Sequence, residues 1–319
     1  MNSNRTNTTA ILAALLCCGG LAAAVTPATA QTPANAIIVT DTNDVMDGKT
    51  PKIPAFPKLA NKPGVVRGYV KNAQGKPVAG AKILVATSAF GGFRTSATGT
   101  SDAKGYYEVP MQHGVGRVWI AGVGMTYNGV RMALPLHPAD GEISDFHSKT
   151  GGVENLALFT HGIANEAGVN DNPGYSGNYF GAAFRLMYYW REPGDESALH
   201  ERLILDSGIE ITLTPDGPLA DGSAGRPFVI RHKVVPRGWF EVHNIPVGRY
   251  RIQACVTEGG KTLPLRLKEG YLSGRKGGMT PTETDDTATI VFRSVGSDPL
   301  MRVPAGGMDR LILNAERIP

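Results

Sequence analysis

The chain has little cysteine, which limits the cross-links that could hold its fold. Its 319 residues include three cysteines, of which Cys17 and Cys18 lie in an apolar N-terminal segment. If that segment is removed, Cys255 alone remains. One cysteine forms neither an internal disulfide nor a cysteine-type zinc site. We therefore expect Cys255 to be a small, buried side chain in a strand.

The chain also lacks, beyond residue 30, any apolar run long enough to span a bilayer. Residues 1–30 start polar, with Arg5, continue as an apolar run over 10–25, and end in Ala28-Thr29-Ala30. That ending is the small-x-small pattern that signal peptidase cleaves, and the run is short for a membrane span. We predict a signal peptide at 1–30, no transmembrane segment after cleavage, and a secreted or periplasmic bacterial protein.

Net charge and helical periodicity are low as well. The formal net charge is +4 and evenly spread, which does not favour nucleic acid as a partner. No stretch keeps an apolar period of 3.6 residues over three turns, whereas 40 glycines and 22 prolines are typical of short strands joined by turns. Residues 31–63 combine recurrent proline with little apolar periodicity, which predicts an extended Pro-rich linker. The remainder is predicted to be all-β.

What the chain does have is a repeated hairpin. Residues 105–109 (Gly-Tyr-Tyr-Glu-Val) and 238–242 (Gly-Trp-Phe-Glu-Val) share one pattern, and each is soon followed by Val-Gly-Arg and an alternating strand. Successive side chains of a strand point to opposite faces. One aromatic of each pair should therefore lie in a core and the other on the outer face. The repeat predicts two related β-sandwich units.

Three stretches carry a resemblance to a known family. They are Arg67-Gly68-Tyr69-Val70, residues 75–81 (Gly-Lys-Pro-Val-Ala-Gly-Ala) and residues 102–107 (Asp-Ala-Lys-Gly-Tyr-Tyr). With them the chain resembles the carboxypeptidase regulatory-like family, a transthyretin-like β-sandwich, most clearly over 65–121 and with a diverged copy around 207–256. The resemblance implies two Ig-like or transthyretin-like sandwich domains, which we place at 64–140 and 145–319. It implies no particular function, because such modules accompany many extracellular proteins.

Motifs for catalysis are missing from the sequence. A zinc carboxypeptidase needs His-x-x-Glu, and no histidine of this chain has glutamate at that spacing. Intradiol dioxygenases use a transthyretin-like sandwich with a ferric ion held by two tyrosines and two histidines. Residues 226–232 resemble their ligand stretch, but His232 is displaced by one position, which on a strand turns it to the opposite face. We predict no enzyme, no catalytic residue, no metal and no cofactor, and keep the dioxygenase-like enzyme as a disfavoured alternative.

Aromatic residues make up 7% of the chain but concentrate in residues 170–191. Alternation along 184–191 predicts that the even-numbered side chains face a core and the odd-numbered ones the outer surface. Aromatic faces bind the apolar C–H faces of sugars, while nearby polar groups bind their hydroxyls. The candidate binding residues are Tyr175, Tyr179, Arg185, Tyr189 and Arg191.

These observations predict an exported, non-catalytic protein of two β-sandwich modules. The expected role is structural, adhesive or carbohydrate-binding, at the cell surface or in the periplasm. The expected partner is an extracellular glycan or a cell-surface protein. A structural protein would pair with its neighbours through exposed strand edges, whereas a glycan-binding protein needs exposed aromatic faces on one surface.

Overall fold

The structure, a computed structural model, describes residues 33–40, 44–88, 94–195, 200–272, 275–276, 278–301 and 306–318. The predicted signal peptide at 1–30 lies outside these residues. The prediction of an all-β fold is confirmed, because the described residues form 25 strands but only one short α-helix and one 3-10 turn.

The strands fall into an N-terminal strand, a first group that ends at residue 158 and a second group that begins at residue 182. The N-terminal and first-group strands are β1 (Ile37–Thr40), β2 (Val65–Asn72), β3 (Lys82–Ser88), β4 (Arg94–Thr100), β5 (Tyr106–Pro110), β6 (Val115–Tyr127), β7 (Val130–Pro135), β8 (His137–Pro138), β9 (Phe146–His147), β10 (Gly152–Val153) and β11 (Leu156–Leu158). The second-group strands are β12 (Ala182–Tyr188), β13 (Trp190–Arg191), β14 (Leu203–Ile204), β15 (Gly208–Pro215), β16 (Phe228–Lys233), β17 (Trp239–Ile245), β18 (Arg249–Glu258), β19 (Lys261–Glu269), β20 (Tyr271–Leu272), β21 (Arg275–Lys276), β22 (Met279–Thr280), β23 (Glu283–Thr284), β24 (Ala288–Val291) and β25 (Arg310–Arg317). Between the groups lie α1 (Glu166–Asp171) and the 3-10 turn at Ser176–Asn178.

The first group forms a sandwich of two sheets. In one sheet β2 pairs with β5, β10 and β11, and in the other the order is β4-β3-β6-β7. Alternating side chains fill the space between the sheets: Val66 and Val70 of β2 and Ile83 and Val85 of β3 are buried in one cluster. Each such side chain contributes about 1.5–3 kcal/mol when fully buried. This alternation is what the sequence pattern predicts.

The parallel strands β10 and β11 approach β2 very closely at Gly68. A Cβ atom at this position would stand 1.8 Å from the carbonyl oxygen of Glu154. The hydroxyl of Tyr107 donates a hydrogen bond to that same oxygen at 2.5 Å, which holds the residue 154 backbone in place. Glycine is therefore required at position 68 by the contact between strands.

The second group forms one large sheet of two layers. Its order is β1-β16-β15-β18-β19-β25-β12-β17. The long strand β19 belongs to both layers, because residues 261–264 pair with β18 and residues 265–269 pair with β25. A strand that passes from one layer to the next lets a sheet cover its own inner face. The enclosed core is aromatic and aliphatic, with Phe184, Tyr250 and Phe292 among its largest side chains.

Two predicted boundaries need correction. Residues 152–158, which the sequence analysis places in the second domain, pair with β2 in the first sandwich. Their alternation is weak because Leu156, Ala157 and Leu158 are all buried. Residues 37–40, inside the predicted linker, form β1 and pair in parallel with β16, since the branched run Ile37-Ile38-Val39 favours a strand. The division at 64–140 and 145–319 otherwise stays a prediction.

The repeated motif occurs once in each sandwich, at β5 and at β17, but the prediction that each copy is a hairpin is wrong. β5 pairs with β2 and β17 pairs with β12, whereas the strand that follows each of them, β6 or β18, pairs with other strands. Tyr107 and Phe240, the second aromatic of each copy, are buried, whereas Tyr106 and Trp239 are only partly covered. The predicted split of each aromatic pair between the core and the outer face is confirmed. The copies differ at the glutamate: Glu108 is paired with Lys62 near the surface, and Glu241 is buried.

Glu154, which lies between β10 and β11, gives the stability of the protein a pH dependence. Its side chain is buried, and burial together with the nearby Asp140 charge raises its pKa to about 7. A raised carboxyl pKa destabilises the fold as pH rises from about 4.5 to about 7, because the unfolded chain loses the proton first. We expect Glu154→Gln to unfold as the wild type does at pH 5 and to be about 2–3 kcal/mol more stable at pH 8.

The measurement is urea unfolding of both proteins at the two pH values. Glu142→Gln is the control, because Glu142 is exposed and should leave the pH dependence unchanged. Parallel pH profiles of wild type and Glu154→Gln would show that Glu154 is not the source of the dependence.

Candidate binding cleft

A cleft with a volume of about 900 Å³ opens on the outer face of the second sandwich. Its walls come from the end of β12, the segment that follows it, the turn before β17, and parts of β19 and β25. Aromatic and guanidinium groups dominate the lining. The residues on which the following paragraphs depend are Tyr189, Trp190, Arg191, Arg202, Arg237 and Trp239.

Strand register explains why distant residues meet in this cleft. Met187 of β12 pairs with Trp239 of β17 on one side and with Asn314 of β25 on the other. Asn314 pairs in turn with Lys268 of β19. Residues in register on neighbouring strands point to the same face. The row lies on the outer face because Leu186, which precedes Met187 along β12, is buried in the core.

The segment after β12 provides the most exposed aromatic ring of the cleft. Tyr189 is 76% exposed, whereas Trp190 packs partly against the core. Arg191 lies in β13, which pairs with β14, and its Nη1 donates a hydrogen bond to the carbonyl oxygen of Asp195 at 3.0 Å. Its Nε is buried without an acceptor. Tyr189 thus offers an open aromatic face close to a guanidinium group that is held in place.

Trp239 holds two guanidinium groups. The Arg237 guanidinium carbon lies 3.4 Å from the ring centroid of Trp239, and that of Arg185 lies 4.2 Å from it. Two guanidinium groups at these distances would overlap on one face of the ring, so they occupy opposite faces. Each stack is a cation–π interaction worth about 0.5–2 kcal/mol. Trp239 therefore orients Arg237 and leaves little of its own ring for a ligand.

The other side of Arg185 is held by a buried carboxylate. Glu241 accepts hydrogen bonds from Arg185, whose Nε is 2.6 Å away, and from Arg310, and its Oε2 lies 3.4 Å from Nε2 of the buried His243. Burial alone would raise the pKa of Glu241, but His243, Arg185 and Arg310 outweigh it and lower the pKa to about 2. A continuous series of contacts runs from Glu241 through Arg185 and Trp239 to Arg237.

Two of the five predicted binding residues, Tyr189 and Arg191, lie in the cleft. Arg185 is engaged with Glu241 and Trp239, and therefore supports the cleft from one side. Tyr175 is 48% exposed but lines a separate, small pocket of about 50 Å³. Tyr179 is only 2% exposed and stacks on His243, with ring centroids 5.6 Å apart.

The placement of Tyr179 needs correction. The sequence analysis counts it among the binding residues, but its ring stacks on His243 and its hydroxyl donates to the carbonyl oxygen of Pro173 at 3.0 Å. Burial, together with the charge of Asp44, raises its pKa to about 12. A ring buried in this way cannot stack on a sugar, so Tyr179 is not part of an exposed platform.

The main residues that sequence reasoning missed are Arg237 and Trp239. A signal was present, because the repeated motif assigns Trp239 to the outer face and Arg237 precedes it by two positions. The pairing of Met187 with Trp239 joins residues that are far apart in the chain and is set by long-range strand order. Only that register places Trp239 next to the segment that contains Tyr189.

His232, the residue behind the dioxygenase-like alternative, stacks on Phe240 with ring centroids 4.1 Å apart. Within the described ranges, no group of three or more His, Cys, Asp or Glu side chains is placed to hold a metal ion. Burial and the nearby Glu210 charge raise the pKa of the Cys255 thiol to about 11, which keeps it from acting as a thiolate nucleophile near neutral pH.

The first sandwich has a different surface groove, with a volume of about 670 Å³. It lies over β3, β4 and β6 and is lined by Trp119, Ile120 and Leu84, with the ion pair of Arg117 and Asp145 at its side. Trp119 is 46% exposed. The second and third tryptophans of the chain, Trp190 and Trp239, lie in the cleft of the second sandwich. Trp119 therefore marks the groove of the first sandwich, whereas Trp190 and Trp239 mark the cleft of the second.

Comparison with known proteins assigns no family to the chain. No family model and no curated protein matches it. Among solved structures it is similar to the Bacillus anthracis TIE protein, with 13% identity, a TM-score of 0.31, and coverage of 80% of this chain and 34% of that one. It is also similar to a streptococcal ancillary pilin, with 11% identity, a TM-score of 0.22, and coverage of 78% of this chain and 69% of that one. A third similar structure is a C-terminal fragment of the pilus adhesin SpaC from Lactobacillus rhamnosus GG, with 10% identity, a TM-score of 0.21, and coverage of 79% of this chain and 97% of that one.

This chain spans about a third of the length of the TIE protein. In the part of the chain that the structure describes, no helix has the length and apolar character to cross a membrane.

Proposed function

We propose that the protein is an exported, non-catalytic binding protein whose ligand is a glycan. In this proposal the cleft beside Tyr189 is the binding surface, and the protein acts in adhesion at the cell surface or in the periplasm. We also propose that the first sandwich is a carboxypeptidase regulatory-like module that carries the binding sandwich. The motif residues 102–107 support this, because they form the tight turn into β5, with Gly105 at a φ of 76° that favours glycine.

The observation that carries the proposal is the exposed ring of Tyr189 in a cleft that Arg191, Arg202 and Arg237 also line. Sugars bind with an apolar C–H face on an aromatic ring while their hydroxyls take hydrogen bonds from neighbouring donors. A guanidinium group has five N–H donors, so three of them supply many partners for hydroxyls. A volume of about 900 Å³ lies within the range of ligand-binding clefts.

Catalysis is not favoured by this cleft. Its acids include Glu316, which is paired with Lys268 at 2.8 Å. A glycosidase needs two carboxyl groups that face each other across the bond to be cleaved, one of them with a raised pKa. Binding without chemistry is the simpler function for a surface of arginines and one exposed tyrosine.

A glycan array probed with the purified wild-type protein tests the proposal. We expect binding to a restricted set of glycans, and an affinity for them that falls about tenfold in Tyr189→Ala, because stacking and burial of one ring contribute about 1.4 kcal/mol or more. Tyr175→Ala is the matched control, since Tyr175 is also an exposed tyrosine of the same region but lines another pocket. It should bind as the wild type does.

Binding to no glycan on the array would contradict the proposed glycan-binding function and would favour the structural or assembly role. Equal losses in Tyr189→Ala and Tyr175→Ala would show that binding occurs but not through this cleft.

A further inference from the structure

We infer that the cleft recognises an acidic glycan, one whose sugars carry an anionic carboxylate or sulfate group. The inference rests on the proposed glycan-binding function and names the class of sugar. Its basis is that Arg191, Arg202 and Arg237 line the same cleft as the exposed Tyr189.

Arg237 is held in place but is not paired with an acid. Its guanidinium plane lies over Trp239 at 3.4 Å, and Trp239 is held from its other face by Arg185. Within the described residues, no ion pair or hydrogen bond involves the Arg237 guanidinium. Stacking uses the flat face of a guanidinium group and leaves its N–H edge free for an acceptor. Contacts from Glu241 through Arg185 and Trp239 therefore hold the Arg237 guanidinium group in a fixed orientation, with no acidic partner among the described residues.

Arg191 shows the same lack of an anionic partner among the residues that the structure describes. One of its terminal nitrogens donates to the carbonyl oxygen of Asp195 at 3.0 Å, which holds the guanidinium group without neutralising its charge. Arg191 is therefore a second cation of the cleft, independent of Arg237, that is available to an anionic ligand.

The acids of the cleft do not cancel these cations. Among the described residues that line it, four are basic and three acidic, and Lys268 and Glu316 neutralise each other at 2.8 Å. Glu192 is exposed, and Asp195 makes contacts of its own. An adjoining pocket of about 410 Å³, lined by Tyr189, Glu201, Arg202 and Glu316, extends the cleft along the surface. Arg202 and Glu316 line both, and Glu201 lines the adjoining pocket, so the unpaired cations of the site are those of the main cleft.

These features combine in one mode of recognition. A sugar ring stacks on Tyr189, and its anionic group receives paired N–H···O bonds from a guanidinium group, as carboxylates and other oxyanions do from arginine. A neutral glycan would gain the stacking contact but would leave the cations of the cleft without an anion. The geometry thus favours acidic over neutral sugars.

The experiment compares three polymers in affinity electrophoresis of the purified protein at physiological ionic strength. The probes are polygalacturonate, which carries carboxylates, dextran sulfate, which carries sulfates, and unmodified dextran, which is neutral. We expect one of the two acidic polymers to bind at least tenfold more tightly than dextran. The tighter of the two identifies the anionic group.

Variants separate recognition in the cleft from general attraction of polyanions. We expect Arg237→Ala and, separately, Arg202→Ala to lower the affinity for the preferred acidic polymer about tenfold, as loss of a charge-assisted hydrogen bond does. Arg131→Ala is the matched control, because Arg131 is an exposed arginine of β7 in the first sandwich. It should bind as the wild type does. Urea unfolding of each variant shows that the fold is retained.

Equal affinity for dextran and the acidic polymers would overturn the inference and leave the proposed glycan function standing. Equal losses in Arg131→Ala, Arg202→Ala and Arg237→Ala would overturn it too, because attraction would then be a property of the whole surface. Binding of none of these polymers, together with a blank glycan array, would contradict the proposed function itself.

Discussion

Replacing Glu241 by alanine is expected to destabilise the protein by about 3–5 kcal/mol at pH 7, the cost of removing one partner from a buried ionic group. Glu241 is 5% exposed and forms ion pairs with both Arg185 and Arg310, which are each covered over about three quarters of their side chains. Without the carboxylate, two adjacent guanidinium groups remain with no counter-charge. Urea unfolding monitored by far-ultraviolet circular dichroism measures the loss.

The repeat supplies a matched control for Glu241. Glu108 occupies the same position in the other copy of the motif, but both side chains of its ion pair with Lys62 are partly exposed. An exposed pair contributes about 0–1 kcal/mol. Glu108→Ala should therefore cost at most about 1 kcal/mol. Equal effects of the two substitutions would contradict the view that the second copy has a special, buried ionic core.

Acid provides an independent check on Glu241. Its pKa is lowered to about 2, so its contribution to stability is fully present above the unfolded value near 4.5 and is lost as pH falls toward 2. The stability difference between wild type and Glu241→Ala should shrink over that range. A difference that stays constant from pH 5 to pH 2.5 would show that the carboxylate charge is not what stabilises the fold.

Gly68→Ala is expected to have the second large effect, a loss of about 3 kcal/mol or more, at the upper end of the usual cost of overpacking. The added methyl group would stand 1.8 Å from the carbonyl oxygen of Glu154. The same oxygen accepts a hydrogen bond from the Tyr107 hydroxyl, which holds it in place. Neither strand can move without breaking the pairing of β2 with β10 and β11. The free energy of unfolding in urea measures the effect.

Gly208→Ala is the control for this substitution. Gly208 also lies in a strand, β15, but a Cβ atom there meets nothing within 4 Å and its φ is not in the left-handed region. The substitution should be neutral or slightly stabilising, because alanine restricts the unfolded chain. A Gly68→Ala protein as stable as Gly208→Ala would mean that residues 152–158 do not pack on β2 as described.

Much of the fold follows from local patterns in the sequence. Alternation identifies β2, β3 and β12, and glycine with positive φ marks the turn before β5, so the all-β class and the position of each copy of the repeated motif are predictable. The pairing partners of β5 and β17 are not, because each pairs with an earlier strand, β2 or β12, and not with the strand that follows it. Residues 152–158 and 37–40 are not, because each adds to a sheet in parallel and is far in sequence from its partner strand. Such pairing depends on which distant segments of the chain meet in the folded protein, and a local sequence pattern does not contain that information.

The cleft was predictable only in part, and for the same reason. The outward direction of Tyr189 follows from the period of two along β12, and it is found in the structure. Arg185 obeys the same period, yet its contacts are fixed by Glu241 and Trp239 on the neighbouring strand. Tyr179 lies in irregular backbone, where no period predicts direction, and it is buried. The different burial of Glu108 and Glu241 in the two copies of the motif follows from their cross-strand neighbours, which the local sequence does not show.

The most direct test of the proposed binding surface uses the three tryptophans, one in the groove of the first sandwich and two in the cleft. Protein labelled with 5-fluorotryptophan, with signals assigned through single Trp→Phe variants, is titrated with the glycan selected on the array and followed by fluorine NMR. We predict saturable shifts of the Trp239 and Trp190 signals and an unchanged Trp119 signal. Shifts confined to Trp119 would move the binding surface to the first sandwich and contradict the account.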